Sequence, residues 1–197
     1  MTRDNTQTEA RDRAPHGDSA PAIEIRHATM LDVEAIMELV NGLASEGVML
    51  PRSPASIVEK LRDFVVATVD DEFAGCGALA IIWTDIAEIR SIAVDPTFQK
   101  LGLGRTLALH LIDSADQLGI ARVMAFTYVT GFFEKLGFAV VDHAALPHKV
   151  FTDCLRCPKF HKCDEVAVVK VLRPDADTSV LSSVSMPTPG MPLQIGR

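Results

Sequence analysis

The segment Gln99-Lys100-Leu101-Gly102-Leu103-Gly104-Arg105 has the residue types and spacing of a phosphate-binding turn. An apolar run that ends at Asp95-Pro96 precedes it and a stretch with helical periodicity follows, which predicts a strand, a glycine-bearing loop and a helix start. Backbone N–H groups at a helix start lack intrahelical acceptors and lie at the positive end of the helix dipole. Glycine has no Cβ to keep an anion away from the backbone. These features suit a phosphate site, but for a Gly-x-Gly pair taken alone an ordinary strand-to-helix turn is the favoured interpretation.

The same segment resembles the Gln/Arg-x-x-Gly-x-Gly/Ala signature of the GNAT N-acetyltransferases. Two flanking segments match that family in order and spacing, Ser91-Ile92-Ala93-Val94-Asp95-Pro96 before the loop and Phe133-Glu134-Lys135-Leu136-Gly137-Phe138 after it. A Walker loop needs Lys-Ser/Thr after its last glycine, where Arg105-Thr106 stands, and a dinucleotide fingerprint needs a third glycine. The resemblance covers about residues 23–172. It implies an α/β fold of the GNAT type, with one central, mostly antiparallel mixed sheet and flanking helices.

Acetyl-CoA is the acetyl donor that the resemblance implies. Its pyrophosphate is expected on the backbone of residues 100–105, with Gln99 at the start of the loop. Its pantetheine arm is expected to pair, like an added strand, with the backbone of Ile92, Ala93 and Val94. A backbone N–H near Ile92 or Ala93 would stabilise the charge that develops on the thioester oxygen.

Acetyl transfer to an amine requires the amine to lose a proton, and Glu88 is the predicted base, acting through a water molecule. The alternative for Glu88 is a structural ion pair with Arg90, since a regular pleat places both side chains on one face of a strand. Many members of the family place a Tyr where Phe133 stands, to protonate the departing thiolate. Tyr128, the only tyrosine, either replaces it or is a packed sheet residue, so the acid is left unassigned.

Further segments resemble the short, single-domain N-acetylglutamate synthases. They are Leu50-Pro51-Arg52-Ser53, Gly75-Cys76-Gly77-Ala78-Leu79, Glu88-Ile89-Arg90, Leu146-Pro147-His148-Lys149 and Cys163-Asp164-Glu165. This resemblance implies L-glutamate as the acceptor and a role in arginine biosynthesis. Two alternatives stay open: a GNAT enzyme for another amino acid, an amine or a protein N-terminus, and a non-catalytic acyl-CoA sensor.

Glutamate carries two carboxylates, so its pocket should be cationic although the chain has a net charge of −7. Basic residues outnumber acidic ones over positions 148–162. Arg52 precedes a predicted helix start and is suited to a bidentate carboxylate contact. The residues predicted to contact the substrate are Arg52, Arg90, Ser91, Lys159 and Lys162. For each lysine, a solvated loop is the alternative.

Three cysteines, Cys154, Cys157 and Cys163, lie close together near the end of the domain. The first two have the spacing of a zinc site, which His148 or His161 would complete, but a second Cys-x-x-Cys pair is missing. Zinc is therefore open and not predicted. The alternative is reduced thiols, with Cys163 packed at the start of the last strand. Cys76, between two glycines, is expected to be a small core residue.

The composition is that of a globular protein, with 48% hydrophobic and 23% charged residues. No apolar run reaches the ~18 residues that a membrane span needs, and the N-terminus lacks the apolar region of a signal peptide. We therefore expect a cytoplasmic enzyme, and its acidic balance argues against nucleic acid and membranes as partners. A homodimer is left open.

The elements that must position these residues follow from periodicity and turn signals. Residues 1–21 and 173–197 are predicted to be disordered tails around one domain of residues 22–172. Thr29 to Asp32 predicts a capping box before a first helix, and Ser53-Pro54 starts a second one, to about residue 62. A long helix is expected to end at Gly119 and a helical turn over residues 132–136 at Gly137. Strands are expected at 64–69, 73–83, 88–94, 122–128, 138–141 and 165–172, with a first strand around Ile23 and Ile25.

Overall fold

The computed structural model describes residues 20–146, 159 and 162–175, and one sheet organises them. Its strands are β1 Ile23–His27, β2 Phe64–Val69, β3 Glu72–Ile81, β4 Ile86–Val94, β5 Arg122–Thr127, β6 Ala139–Val140 and β7 Val166–Val171. The helices are α1 Val33–Ser45, α2 Pro54–Glu59, α3 Leu103–Gln117 and α4 Thr130–Glu134. Within these residues the sheet has seven strands in the order β1-β2-β3-β4-β5-β7-β6.

The sheet is mixed and mostly antiparallel, as predicted. The pair β4–β5 is parallel, whereas the other neighbouring pairs are antiparallel. The β2–β3 hairpin turns at Asp70 and Asp71, whose φ angles of 49° and 66° are those of a type I′ turn. The central sheet, mixed and mostly antiparallel, that was expected from the sequence is thereby confirmed.

Two helical layers cover the sheet. The buried face of α3, including Leu107 and Leu111, packs with Ala87 and Ile89 of β4. Ile36 and Val40 of α1 and Ile57 of α2 pack with the opposite face of β2 and β3. Alternate residues of β4 therefore face different layers, because successive side chains of a strand point to opposite sides.

The predicted capping box and the predicted helix end at Gly119 are both present in the structure. The capping box is present, with the Thr29 N–H donating to the Asp32 carboxylate at 2.7 Å. Gly119 ends α3 in a Schellman arrangement with a φ of 81°, in which its N–H and that of Ile120 bond to the carbonyls of Asp116 and Ala115. None of the described helices is long and apolar enough to cross a bilayer.

Element ends differ from the predictions by a few residues. Helix α2 ends at Glu59, because Lys60 leaves helical geometry and a 3-10 turn over Leu61–Asp63 follows, where one helix to residue 62 was expected. Strand β4 begins at Ile86 and not at residue 88, since the N–H groups of Ile82 and Trp83 both bond to the Ile86 carbonyl in a tight turn. Strand β3 ends accordingly at Ile81.

Candidate active site

A gap opens between β4 and β5 near the middle of the sheet. The two strands pair only from Ile86↔Arg122 to Glu88↔Met124, although β4 continues to Val94 and β5 to Thr127. Beyond that point the edge of β4 that faces β5 carries backbone groups without a strand partner in the described part of the sheet. Such an edge is a template for an extended ligand.

A bulge in β4 lies beside this gap. Cys76 pairs with Ala93 and Ala78 with Arg90, so Gly77 on β3 opposes two residues on β4. One of these two, Ser91, has a φ of 54°. A Cβ on Gly77 would come within 3.0 Å of Leu111 Cδ1, so glycine allows the close approach at this point. The two glycines around Cys76 were a sequence signal for the bulge.

The pairing decides which β4 backbone groups face the gap. The Asp95 N–H donates to the Ala74 carbonyl on β3 at 2.9 Å. Hydrogen-bonded pairs alternate along antiparallel strands, so Ala93 is also bonded to β3, while Ile92 and Val94 direct their N–H and C=O groups toward β5. Of the three predicted contacts to the pantetheine arm, Ile92 and Val94 have the required orientation and Ala93 does not.

The predicted phosphate loop joins the end of β4 to the start of α3. Lys100 and Gly102 both have positive φ, 77° and 76°, and Gly102 is the residue that precedes the helix. The first N–H groups of α3 lack intrahelical acceptors. A Cβ on Gly104 would meet Phe132 and Val94 at 3.8 Å, an ordinary contact distance. The segment thus has the geometry of an anion site that continues the gap.

Glu88 and Arg90 form a buried ion pair. The Arg90 Nη2 atom lies 3.1 Å from Glu88 Oε2, and the side chains are 10% and 4% exposed. Glu88 stands at the last paired position of β4 and β5, between Ala80 on β3 and Met124 on β5. The structure therefore contains the ion pair that was the alternative for Glu88, and it places this carboxylate where the gap begins.

Arg52 reaches the bulge from the connection between α1 and α2. Its Nε donates to Ser91 Oγ at 3.0 Å, so three of the predicted substrate residues, Arg52, Arg90 and Ser91, come together. Asp63 lies within the field of these charges: burial raises the pKa of its carboxyl group, and the charges of Arg90, Lys60 and Arg52 oppose this shift.

The thiol of Cys76 lies under the bulge. It is fully buried, as expected for a small core residue, and its Sγ lies 3.7 Å from the Ser91 carbonyl oxygen. Burial raises the pKa of the thiol to about 12. Cys76 is therefore a packing residue and not a nucleophile.

Lys159 is part of a three-residue cluster at the end of β5. Its Nζ donates to the Tyr128 hydroxyl at 2.8 Å and lies 3.1 Å from Asp164 Oδ1. The Tyr128 hydroxyl donates to the same carboxylate at 2.9 Å. These hydrogen bonds raise the pKa of Lys159 and lower that of Asp164, while burial raises the pKa of Tyr128.

The cluster has less positive charge than the predicted cationic pocket, because it includes a carboxylate. Asp164 lies just beyond the stretch in which basic residues were in excess, and it balances the charge of Lys159. Lys162 is exposed, and its backbone N–H bonds to the Lys159 carbonyl at 2.9 Å. The structure does not bring the two lysines together with Arg52 through a described contact. Tyr128 lies just past β5 and hydrogen-bonds to Asp164, so it is not the packed sheet residue that was one of its two predicted alternatives.

A family model for the acetyltransferase (GNAT) family matches residues 35–138, a range that includes the gap, the bulge and the loop. The chain belongs to the GNAT family of acetyltransferases. As a GNAT enzyme it takes its acetyl group from acetyl-CoA.

Several acetyltransferases are similar to the chain. An uncharacterized N-acetyltransferase of Chlorobaculum tepidum is 38% identical over 75% of this chain and 96% of its own length. An amino-acid acetyltransferase of Mycobacterium tuberculosis is 33% identical over 67% of this chain and 77% of its own. Among solved structures, N-acetylglutamate synthase from Neisseria gonorrhoeae, complexed with coenzyme A and N-acetyl-glutamate, is 27% identical with a TM-score of 0.70, covering 79% of this chain and 36% of that one.

The position at which many GNAT enzymes carry a catalytic tyrosine has a packing role here. Phe133 is 6% exposed and contacts the rings of Phe132 and Phe138 edge-on, at centroid distances of 5.1 and 5.2 Å. Phe132 in turn lies against Gly104 of the cofactor loop. This GNAT chain therefore uses the position to support α4 and the loop.

Of the three clustered cysteines, Cys163 lies within the described residues. Cys154 and Cys157, with His148 and His161, lie outside the described residues, and no group of three metal-ligating side chains occurs within them. Cys163 is exposed and precedes β7, which begins at Val166. The expectation that Cys163 packs at the start of the last strand is therefore wrong, because it lies in the loop before that strand.

Proposed function

We propose that this GNAT enzyme acetylates the α-amino group of L-glutamate and so forms N-acetyl-L-glutamate and CoA, the first step of arginine biosynthesis. The observation that carries the proposal is the contact between Arg52 and Ser91 beside the gap. Through this contact the Arg52 guanidinium lies near the end of the paired β4–β5 segment. In the proposed reaction, the acceptor meets the acetyl group at that end. The names of the Mycobacterium and Neisseria relatives support the same acceptor class.

The acceptor's carboxylates are recognised by the guanidinium groups at the bulge. Arg52 comes from the α1–α2 connection and Arg90 from β4, so the charges approach the acceptor from two elements. An arginine pairs with a carboxylate through two parallel hydrogen bonds, which fix orientation as well as charge. A monoamine has no carboxylate to form such hydrogen bonds with a guanidinium group, which disfavours it as a substrate.

Acetyl-CoA is held along the gap and at the start of α3. The pantetheine arm extends β4 through the backbone groups of Ile92 and Val94, and the pyrophosphate lies at the N–H groups of residues 102–105. This arrangement directs the thioester toward the point at which β4 and β5 begin to pair, near Glu88.

The reaction then needs one base and one oxyanion donor. Glu88 removes a proton from the acceptor ammonium through a water molecule, and the freed nitrogen attacks the thioester carbonyl. The Ile92 N–H, which faces the gap, stabilises the tetrahedral oxyanion. The C–S bond breaks and its electron pair stays on sulfur, while the nitrogen loses its second proton to water and that water returns a proton to the departing thiolate.

We propose that the enzyme acts in the cytoplasm. Cys76 and Cys163 are free thiols, which is compatible with a reducing compartment.

CoA release measured across a panel of amines tests the acceptor assignment. We expect glutamate to give the highest kcat/KM, with aspartate, glutamine and simple amines well below it. Turnover of another amine and none of glutamate would remove the glutamate assignment and keep the acetyltransferase. Tight acetyl-CoA binding with no turnover of any acceptor would instead favour the non-catalytic sensor.

A further inference from the structure

The side-chain amide of Asn41 hydrogen-bonds to both main-chain groups of Arg52, its N–H and its carbonyl. Its Nδ2 donates to the Arg52 carbonyl at 3.0 Å, and the Arg52 N–H donates to its Oδ1 at 2.9 Å. One amide thus satisfies both main-chain groups of a single residue, as a neighbouring strand would. Asn41 is half-buried, so these bonds are partly shielded from water.

Asn41 is itself held rigidly by the core. It follows Val40 on α1, and Val40 and Ile36 have no exposed surface. The helix ends in a Schellman arrangement, in which Gly47 has a φ of 79° and the Val48 N–H bonds to the Leu43 carbonyl. The Asn41 amide therefore fixes the backbone of Arg52 relative to α1, which packs against the sheet.

The other end of Arg52 is held by β4. Its Nε donates to Ser91 Oγ at 3.0 Å, and Ser91 lies in the bulge at positive φ. Downstream, the Ser53 hydroxyl caps α2 by accepting the Ser56 N–H at 3.1 Å. The guanidinium is thus positioned between two elements that belong to different parts of the fold.

We propose that Asn41 is a positioning residue, which sets the affinity for the acceptor by presenting Arg52. The proposal rests on the role of Arg52 in the proposed function. Holding the backbone in place before the acceptor arrives removes an ordering cost that binding would otherwise carry. The amide of Asn41 is engaged with the backbone of Arg52, so its effect should appear through Arg52.

Steady-state kinetics of Asn41→Ala test the proposal. We expect the acceptor KM to rise about tenfold, as the loss of one to two net hydrogen bonds gives, while the KM for acetyl-CoA changes less than about twofold. In an Arg52→Ala background, Asn41→Ala should have no further effect on the acceptor KM. The matched control is Ser45→Ala, which removes a hydrogen bond to the Gly42 carbonyl on the same helix and away from Arg52.

Equal changes in both KM values, or additive effects of the two substitutions, would overturn the positioning role. A lower melting temperature with unchanged KM would overturn it as well, because it would show that Asn41 only stabilises the loop. If Asn41→Ala does not fold, Asn41→Asp keeps the acceptor for the Arg52 N–H and loses the donor, and it should still raise the acceptor KM.

Failure of the glutamate assignment is distinguishable from failure of this inference. If another carboxylate acceptor is turned over, the same KM comparison is made with that acceptor. If none is turned over, calorimetry with N-acetylglutamate and the CoA-loaded protein replaces kinetics, and an affinity that is unchanged by Asn41→Ala contradicts the inference. A protein that binds no carboxylate at all contradicts both.

Discussion

Arg52 and Ser91 lie 39 positions apart in the chain, and a hydrogen bond of 3.0 Å joins their side chains. Arg90 adds a second guanidinium, which an ion pair holds against Glu88. At the scale of single residues, the site thus combines two guanidinium groups, which suit the anionic acceptor that we propose, with one buried carboxylate. The buried pair keeps Glu88 oriented, since an ion pair with little solvent around it has few alternative geometries.

Replacing Arg52 with Ala should raise the KM for glutamate by about 10- to 100-fold, as the loss of charge-assisted hydrogen bonds predicts. The KM for acetyl-CoA should change little, because the donor lies along β4 and α3. Initial rates with each substrate varied measure both values. Arg62→Ala, at an exposed position of the 3-10 turn after α2, is the control. Equal effects on both substrates would exclude a substrate contact.

Replacing Glu88 with Gln should lower kcat by about 10²- to 10⁴-fold, the contribution of a general base. Both KM values should stay near those of the parent protein, because the amide has the shape of the carboxylate. Glu72→Gln, at an exposed position of β3, provides the comparison. A variant that loses stability and keeps its kcat would show that Glu88 serves only as the partner of Arg90.

At the scale of elements, the proposed donor site lies where β4, β5 and α3 meet. The bulge at Ser91 and the early end of β4–β5 pairing open the gap, and the start of α3 closes its far end. Phe132 of α4 and Val94 of β4 both lie against Gly104 of α3, so these three elements share one boundary. A change at this boundary should affect the donor and spare the acceptor.

Replacing Gly104 with Val should raise the KM for acetyl-CoA, because a branched side chain at the helix start obstructs the phosphate. The position itself has a normal φ and ordinary contact distances for a Cβ, so Gly104→Ala serves as the folded control with a smaller effect. Isothermal titration with CoA measures the affinity directly. An unchanged affinity for Gly104→Val would mean that the loop is only a turn.

At the scale of the whole molecule, an ion pair connects β1 to the start of α1. Arg26 donates to both carboxylate oxygens of Asp32 at 2.8 Å, and Asp32 also closes the capping box with Thr29. The hydrogen bonds from Arg26 lower the pKa of Asp32 to about 2, against the opposing effect of burial. Global stability should therefore depend on the charge of this single group.

The lowered pKa of Asp32 stabilises the fold above the pKa of 3.8 expected in the unfolded chain, and this contribution is lost as the pH falls from 3.8 toward 2. The contribution is about 2 kcal/mol. Asp32→Asn should lower the free energy of unfolding at pH 7 by about that amount and flatten its decline below pH 4. Urea unfolding at several pH values measures this. Asp113→Asn, on the exposed side of α3, is the control; the same flattening there would contradict the assignment.

Features that depend on neighbours in the chain were predictable from the sequence. The capping box, the hairpin at Asp70-Asp71 and the glycine that ends α3 each involve hydrogen bonds across only a few residues. The loop at residues 99–105 belongs to the same class, since a glycine-bearing turn before a helix specifies its own geometry. This locality is why these elements followed from residue types and spacing, and the role of the loop as the donor site stays a prediction.

The acceptor side was decided only by the tertiary structure. Three contacts join residues from separate elements. The bulge at Ser91 lies between β3 and β4, the Asn41 side chain binds the backbone of Arg52, and the Asp164 carboxylate pairs with the Lys159 ammonium. No local spacing specifies them, because they depend on strand register and on how α1 packs against the sheet. The sequence by itself determined an acetyl-CoA-binding fold, whereas packing between distant segments determined which charges lie beside the gap between β4 and β5.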